Sequence, residues 1–320
     1  MDEGRQAQLL LVDAGHAGQR LDNFLLSCLK GVPRSLVYRI VRTGEVRVNR
    51  GRARVDQRLA DGDSVRIPPL RLAADKAAAT PGAELSHHLQ SRILYEQAGL
   101  IVLDKPHGLA VHGGSGVQLG VIEALRALRP HYRFLELVHR LDRDTSGLLL
   151  LAYERQTLLA LQDQLRGEHM FKCYTTILVG ELKGRRHRVE RPLYKYLLPS
   201  GERRVRIDQQ GKAARSDFQV VDSCPDWTLA RVRIHTGRTH QIRVHAQSLG
   251  HPVLGDDKYG DAAVNARWRE RGFARLFLHA TELELDLPGP GHLRFEAALP
   301  ESFQRLCATT GKTQNAATDF

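Results

Sequence analysis

Residues 70–90, LRLAADKAAATPGAELSHHLQ, separate two stretches of different texture. The segment is rich in alanine, sets Pro81 beside Gly82 and offers little apolar surface to a core, so it reads as a linker. A chain interrupted there builds two cores rather than one. The expected organisation is an N-terminal segment over residues 1–17, a small domain over 18–69, the linker, and a larger domain over 91–320. At 320 residues the chain is long enough for both domains.

The small domain is compact in pattern. GQRLDNFLLSCL has helical spacing, with Leu21, Phe24, Leu25 and Cys28 on one face. VPRSLVYRIVRTGEV predicts a second helix that starts near Pro33, ends at Gly44 and buries Leu36, Val37, Ile40 and Val41. EVRVN and DSVRI alternate as strands beside the turn residues Asn49–Gly51 and Asp61–Asp63. Between Gly18 and Pro68 there are eleven Lys and Arg against five Asp and Glu, more than half of the chain's net charge of +11. A positive excess that concentrated points to a polyanion, and nucleic acid is the usual one.

The larger domain is richer in strands. RILYEQAGLIVLDKP predicts two short strands around Gln97–Gly99. LELVHRLDRDTSGLLLLAYE reads as strand, loop, strand; RQTLLALQDQLRGEH as an amphipathic helix; and KCYTTILVGEL as a β-branched-rich strand. RRVRID, SDFQVVD, WTLARVRIH, LFLHATELELDLP and HLRFEAALP add strands, and THQIRVHAQSLG a helix stopped by Gly250. The expected class is α+β, with a large, mainly antiparallel sheet flanked by helices. Cys28, Cys173, Cys224 and Cys307 are scattered, which fits a reducing cytoplasm and neither a disulfide framework nor a zinc site. The acidic start MDEGRQAQLLLVDAG lacks a secretory pattern, and no apolar run approaches the ~20 residues of a membrane span.

Two stretches carry resemblances. RLDNFL, VPRSLVYRIVRTGEVRVNRGR and DGDSVRI resemble the S-four-type RNA-binding domain, and the likeness implies an RNA face formed by Arg34, Arg39, Arg42, Arg47 and Arg50. Further on, HRLDRDTSG at 139–147 sets Asp142 between Arg140 and Arg143 and then runs into leucines. This motif resembles the signature of the RluA family of RNA pseudouridine synthases. ILYEQAGLIVLDKPHGLAVHGG, KCYTTILVG and GRTHQIRVHAQSLGHPVLGDDKYG agree in order and spacing, so the likeness covers residues 92 to about 300.

The resemblance implies isomerisation of uridine to its C5-linked form in large-subunit (23S) ribosomal RNA, free or in a pre-ribosomal particle, without cofactor or metal and as a monomer. Asp142 is then the catalytic aspartate and Arg140 the side chain that replaces the extruded base. Tyr174 is the active-site aromatic, and Arg243 the cation that keeps Asp142 ionised. Extended spacing would put Asp142 and Asp144 on the same side, so spacing alone does not choose between them. Read without the resemblance, Asp142 is a loop carboxylate paired to Arg140 or Arg143, Tyr174 a core tyrosine, and Arg243 a solvated helix residue. His235, His240 and His245 recur every five residues, about 500° on a helix, which is not the i, i+4 pair of a zinc site. Gly113–Gly116 lacks the ending of a P-loop and reads as a flexible loop near RNA. Two other functions remain open: an RNA-binding assembly factor without catalysis, and a glycosidase using Asp142 with Asp144.

Overall fold

The structure, a computed structural model, describes residues 7–29, 32–70, 81–113 and 119–309. Most of the expected glycine loop, and residues 71–80 of the expected linker, lie outside the described residues. The chain divides into compact units at 80/81.

The small unit contains β1 (Gln8–Leu11), α1 (Leu21–Cys28), α2 (Arg34–Arg42), β2 (Arg47–Val48), β3 (Gly51–Arg52) and β4 (Ser64–Ile67). Its antiparallel sheet runs β1-β4-β2-β3. The sheet therefore begins at residue 8, inside the stretch expected to precede the domain. The helices bury Leu21, Phe24, Leu25, Val37, Ile40 and Val41 against Val46, Val65 and Ile67. Cys28, expected on the same face, is exposed at the end of α1. Gly44 follows α2 at φ +75°, the left-handed position that ends many helices. Asn49 and Arg50 both have positive φ between β2 and β3, which is the backbone of a two-residue type I′ hairpin turn.

The large unit opens with α3 (Ala83–Gln90), β5 (Ile93–Gln97), β6 (Leu100–Lys105), α4 (Val121–Leu128), β7 (Glu136–Leu137) and β8 (Ser146–Ala152). It continues through α5 (Arg155–Arg166), β9 (Phe171–Val179), β10 (Arg186–Glu190), β11 (Leu193–Leu197), β12 (Arg203–Ile207), β13 (Arg215–Cys224) and β14 (Trp227–Ile234). It closes with α6 (Gln241–Ser248), α7 (Ala262–Glu270), β15 (Leu278–Leu287), β16 (Gly291–Glu296) and α8 (Glu301–Ala308). Helix α3 corrects the linker reading. Pro81 and Gly82 stand just before a helix rather than inside a loop, and Leu89, four residues after Leu85, is buried in the main core.

Ten strands form one sheet in the order β10-β13-β14-β9-β15-β8-β6-β5, with β16 added to β15 and β7 to β8. The pairing is antiparallel except between β15 and β8, which are parallel. The fold is therefore α+β with a mainly antiparallel sheet. Every residue of β8 is buried, which is why SGLLLLA is a continuous apolar run rather than an alternating one. The loop carrying Asp142 feeds directly into this central strand.

Candidate active site

HRLDRDTSG is built so that its polar residues pin a loop onto the sheet. His139 Nε2 accepts the N–H of Leu150 at 3.1 Å, and burial lowers its pKa to about 4, so it serves as a neutral acceptor. The Thr145 N–H bonds back to the Asp142 carbonyl at 3.2 Å and turns the chain. Ser146 Oγ lies 2.8 Å from His279 Nδ1 and accepts from Arg275 Nη2 at 2.6 Å. Gly147 has φ +103°, and a Cβ there would lie 2.2 Å from the Ala280 carbonyl oxygen, so the motif's glycine permits β8 to pair with β15. A residue no motif reading singled out completes the frame. Lys105, 0% exposed at the end of β6, donates to the carbonyls of Pro106, Leu109 and Arg143 at 2.8, 2.8 and 2.9 Å.

That turn separates the two aspartates. Asp142 opens on a cavity of about 720 Å³ lined also by Arg140, Tyr174, His240, Arg243 and Leu278. Asp144 lines a different, smaller cleft. Arg143 pairs with Asp144 at 3.1 Å, and Arg140 is exposed with no ion pair among the described residues, so neither arginine is the partner of Asp142. Its partner is Arg243, whose Nη1 lies 3.3 Å from Asp142 Oδ2.

Arg243 is 5% exposed and is locked from behind. Its Nε and Nη2 donate to the two oxygens of Asp256 at 2.6 and 2.7 Å. Asp256, 0% exposed, also accepts the N–H groups of Lys258 and Tyr259 at 2.9 and 3.0 Å. Burial alone would raise the Asp256 pKa; the Arg243 guanidinium and the backbone donors outweigh it and hold the carboxyl below its usual range. Burial would likewise discharge Arg243, but Asp256 and then Asp142 hold it charged. One arginine thus spans a tight structural carboxylate, Asp256, and a more loosely held one, Asp142, which opens on the cavity.

Helix α6 carries Arg243 and is buried from Gln241 to Ala246, so its polar side chains need partners. Gln241 accepts from Thr236 Oγ1 at 2.7 Å and donates to Ser216 Oγ at 3.0 Å, and His245 Nδ1 lies 2.9 Å from that same hydroxyl. The three histidines of this segment go separate ways. His235 meets Asp217 at 2.8 Å, His245 is buried with Ser216, and His240 turns to the site. His240 stands just before α6 in a left-handed conformation, φ +53°, its Nε2 3.8 Å from Asp142 Oδ2. Its Nδ1 lies 2.7 Å from the Tyr259 hydroxyl, which also accepts the Val205 N–H at 3.0 Å. Burial lowers the His240 pKa to about 4. This neighbour of Asp142 is missed by sequence reasoning; its only signal there is a histidine three residues before an arginine candidate.

Tyr174 lies near the start of β9, opposite Val232 on β14 and Ala280 on β15, where a bulge interrupts β15 before Glu282. Burial, and then the charge of Asp142, push its phenol upward, so the hydroxyl stays neutral across the physiological range. Hairpin β11–β12 adds a ribbon of aromatic and basic residues. Tyr194 faces Arg206 and Tyr196 faces Arg204 across it, and the Arg206 guanidinium lies 5.6 and 5.4 Å from the rings of Tyr194 and Tyr196. Lys195 of this hairpin lines the cavity, its pKa lowered by burial and then by the cations Arg140, Lys212, Arg203 and Arg238.

In the small unit, Arg34, Arg39, Arg42 and Arg50 are exposed and Arg47 is half-buried. The strand register adds two more. Arg47 stands opposite both Arg52 on β3 and Arg66 on β4, three like charges across adjacent strands. Such a row is destabilising by itself, and an anion laid over it relieves the repulsion.

A carboxylate held by a locked arginine at the mouth of a base-sized cavity, on a mainly antiparallel sheet, defines a class, and known proteins of that class share its sequence and fold. The chain belongs to the RNA pseudouridylate synthase family, which matches residues 99–248, and residues 19–65 match the S4 domain. It is an RNA pseudouridine synthase. It is 48% identical over 307 residues to ribosomal large subunit pseudouridine synthase C of Escherichia coli (strain K12), covering 95% of this chain and 96% of that one. The protein of the same name from Yersinia pestis is 49% identical over 295 residues, 91% and 92% of the two chains. Among solved structures, human RNA pseudouridylate synthase domain containing 4 is 28% identical with a TM-score of 0.58, covering 70% of this chain and 96% of that one.

Proposed function

We propose that this protein converts uridine to pseudouridine in large-subunit (23S) ribosomal RNA, as a cytoplasmic monomer that needs no cofactor. The observation that carries the reading is the Asp256–Arg243–Asp142 arrangement, which sets one lightly held carboxylate beside a locked guanidinium at a cavity wide enough for a flipped nucleotide. The near end-to-end likeness to proteins named ribosomal large subunit pseudouridine synthase C supports the choice of RNA.

The chemistry follows from the residues. A uridine in folded RNA is stacked, so it must be extruded, at a cost of a few kcal/mol. Arg140, exposed and without an ion pair among the described residues, is free to fill the gap, because a planar guanidinium stacks and hydrogen-bonds at once. Asp142 acts at the sugar carbon as the N1–C1′ bond breaks. The uracil turns within the cavity, C5 bonds to C1′, C5 gives up its proton and N1, freed from the sugar, takes one up, so that no atom is gained or lost overall. A phenol held neutral, as Tyr174 is, stacks on the base and donates a hydrogen bond; it is not a resting-state base for that proton. The glycosidase alternative needs two carboxylates facing one bond, whereas Asp142 and Asp144 line different clefts.

The test is a map of pseudouridines in ribosomal RNA from cells with and without the gene. Large-subunit positions should lose modification in the deletion and regain it on return of the wild-type gene, but not of an Asp142→Asn copy. An identical map in all strains would overturn the substrate.

A further inference from the structure

Arg243 lines two cavities. Behind the one that opens on Asp142 is a cleft of about 210 Å³, bordered by Arg143, Asp144, Arg243, Lys258, Arg269 and Arg275. Five cations there face Asp144 and, on the same rim, Asp257. Most of these charges are already answered. Arg143 pairs with Asp144 at 3.1 Å, Arg243 with Asp256 at 2.6 Å, Lys258 with Glu202 at 2.7 Å, and Arg269 loosely with Asp257 at 3.5 Å.

Arg275 is the exception. Its side chain makes two hydrogen bonds, both to neutral oxygens: the Ser146 hydroxyl at 2.6 Å and the Leu276 carbonyl at 3.2 Å. A guanidinium has five N–H groups, so three have no hydrogen-bond partner among the described residues. The group is half-buried over the ring of Phe303 at 5.3 Å, and burial lowers its pKa to about 10, still protonated at neutral pH. A partly desolvated cation with no ion pair among the described residues, on which Asp104 acts only through space while paired to Arg92 at 2.8 Å, is the setting for an anion when it stands among cations held in place by others. The cleft has room for a phosphodiester group with waters.

We propose that this cleft binds a backbone phosphate of the RNA next to the target nucleotide, with Arg275 and Arg269 as its ligands. The inference rests on the reading of the protein as an RNA isomerase and adds a subsite to it. The Asp142 loop, residues 142–144, forms the wall between the two cavities, so a strand whose base enters one lies with its backbone beside the other. Phosphate held on Arg275 also bears on Ser146, and so on the strand that carries the aspartate loop.

The experiment measures affinity of the full chain for transcribed large-subunit ribosomal RNA against salt concentration. One single-stranded phosphate contact contributes about 0.7 to the slope of log affinity against log salt. Arg275→Gln should reduce the slope by about that amount, and Arg275→Lys, which keeps the charge, should restore most of it. A purely structural role in bracing Ser146 would give the reverse, with Lys and Gln alike and the slope unchanged. Arg269 is exposed and can be replaced without disturbing the core; Arg269→Gln should lower the slope by a similar step. Unchanged slopes in both Gln variants would overturn the proposal. Pseudouridine counted in the same RNA after incubation with wild-type protein reports separately on the functional reading, since a flat slope with product formed sinks only the phosphate site.

Discussion

Asp142 and Asp256 hold the same arginine, and replacing each by Asn should divide the damage between stability and turnover in opposite proportions. Asp256→Asn keeps an acceptor for the Lys258 and Tyr259 N–H groups but removes the charge that faces Arg243. Breaking one side of a buried pair costs about 3–5 kcal/mol. In a domain of this size each kcal/mol is worth about 2–4 °C in Tm, so the expected loss is roughly 6–20 °C. Arg243 then turns its full charge on Asp142, which becomes a tighter partner and a poorer nucleophile, and turnover should drop about ten- to a hundred-fold. Asp142→Asn removes a 3.3 Å ion pair from a side chain 28% exposed, worth about 1 kcal/mol or less, so Tm should move by no more than about 4 °C. Its turnover should fall by more than about a thousand-fold, because the missing group acts at the reacting carbon. Calorimetry gives the first number. Pseudouridine formed in a single turnover and counted after nuclease digestion gives the second. Equal Tm losses in the two variants, or normal turnover with Asn at 142, would refute this division of labour.

Arg140→Ala should lose most activity on folded RNA, and Arg140→Lys should recover little; stopped-flow fluorescence of 2-aminopurine beside the target reads the extrusion step directly, and wild-type flipping in the Ala variant would remove Arg140 from that role. Replacing Arg47, Arg52 and Arg66 together by Gln should make the slope of log affinity against log salt shallower by roughly 0.7–0.9 for each phosphate the small unit no longer neutralises, while raising that unit's own stability by removing like charges from facing strands. An unchanged slope would mean that this row does not meet RNA. Lys105 gives a pH signature. Burial lowers its pKa from 10.5 to about 7, so between those values the unfolded chain holds a proton that the folded one has released. Unfolding free energy should therefore climb with pH across that window, by up to about 1.4 kcal/mol per unit relative to Lys105→Met, and parallel curves for the two proteins would refute it.

What the sequence could show of this site was what lies close along the chain. HRLDRDTSG announces itself because a carboxylate, its flanking arginines and a buried strand fall within a dozen residues. Tyr174 and Arg243 came from resemblance, since a strand tyrosine and a helix arginine are unremarkable alone. Lys105, His240 and Asp256 were not legible as site residues. Each matters through a partner met in space: Lys105 with the Arg143 carbonyl, His240 with Tyr259, Asp256 with Arg243. The fold followed the same rule. Strands with runs of β-branched or apolar residues were evident, and the α+β class with them. Helix α3 was hidden by its alanines and the Pro–Gly before it, and α4, α7 and α8 are short helices that no motif flagged. The edge strand β1 is QLLL, an apolar run without alternation, so a period of two does not mark it.

The parallel pairing of β8 with β15 sets a timetable for synthesis. Ser146 meets His279 across 133 residues, and Gly147 pairs with Ala280 beside it. The strand behind the aspartate loop therefore has an open edge until a segment near the end of the chain arrives to cover it. The small unit, by contrast, has all of its strands once residue 67 has been made. At ~5–20 residues per second, roughly two hundred further residues take about 10–40 s. During that interval the strands of the small unit are complete while the sheet behind Asp142 is not. A message truncated between residues 67 and 280 leaves the strands of the small unit complete and β8 without the strand that pairs with its edge.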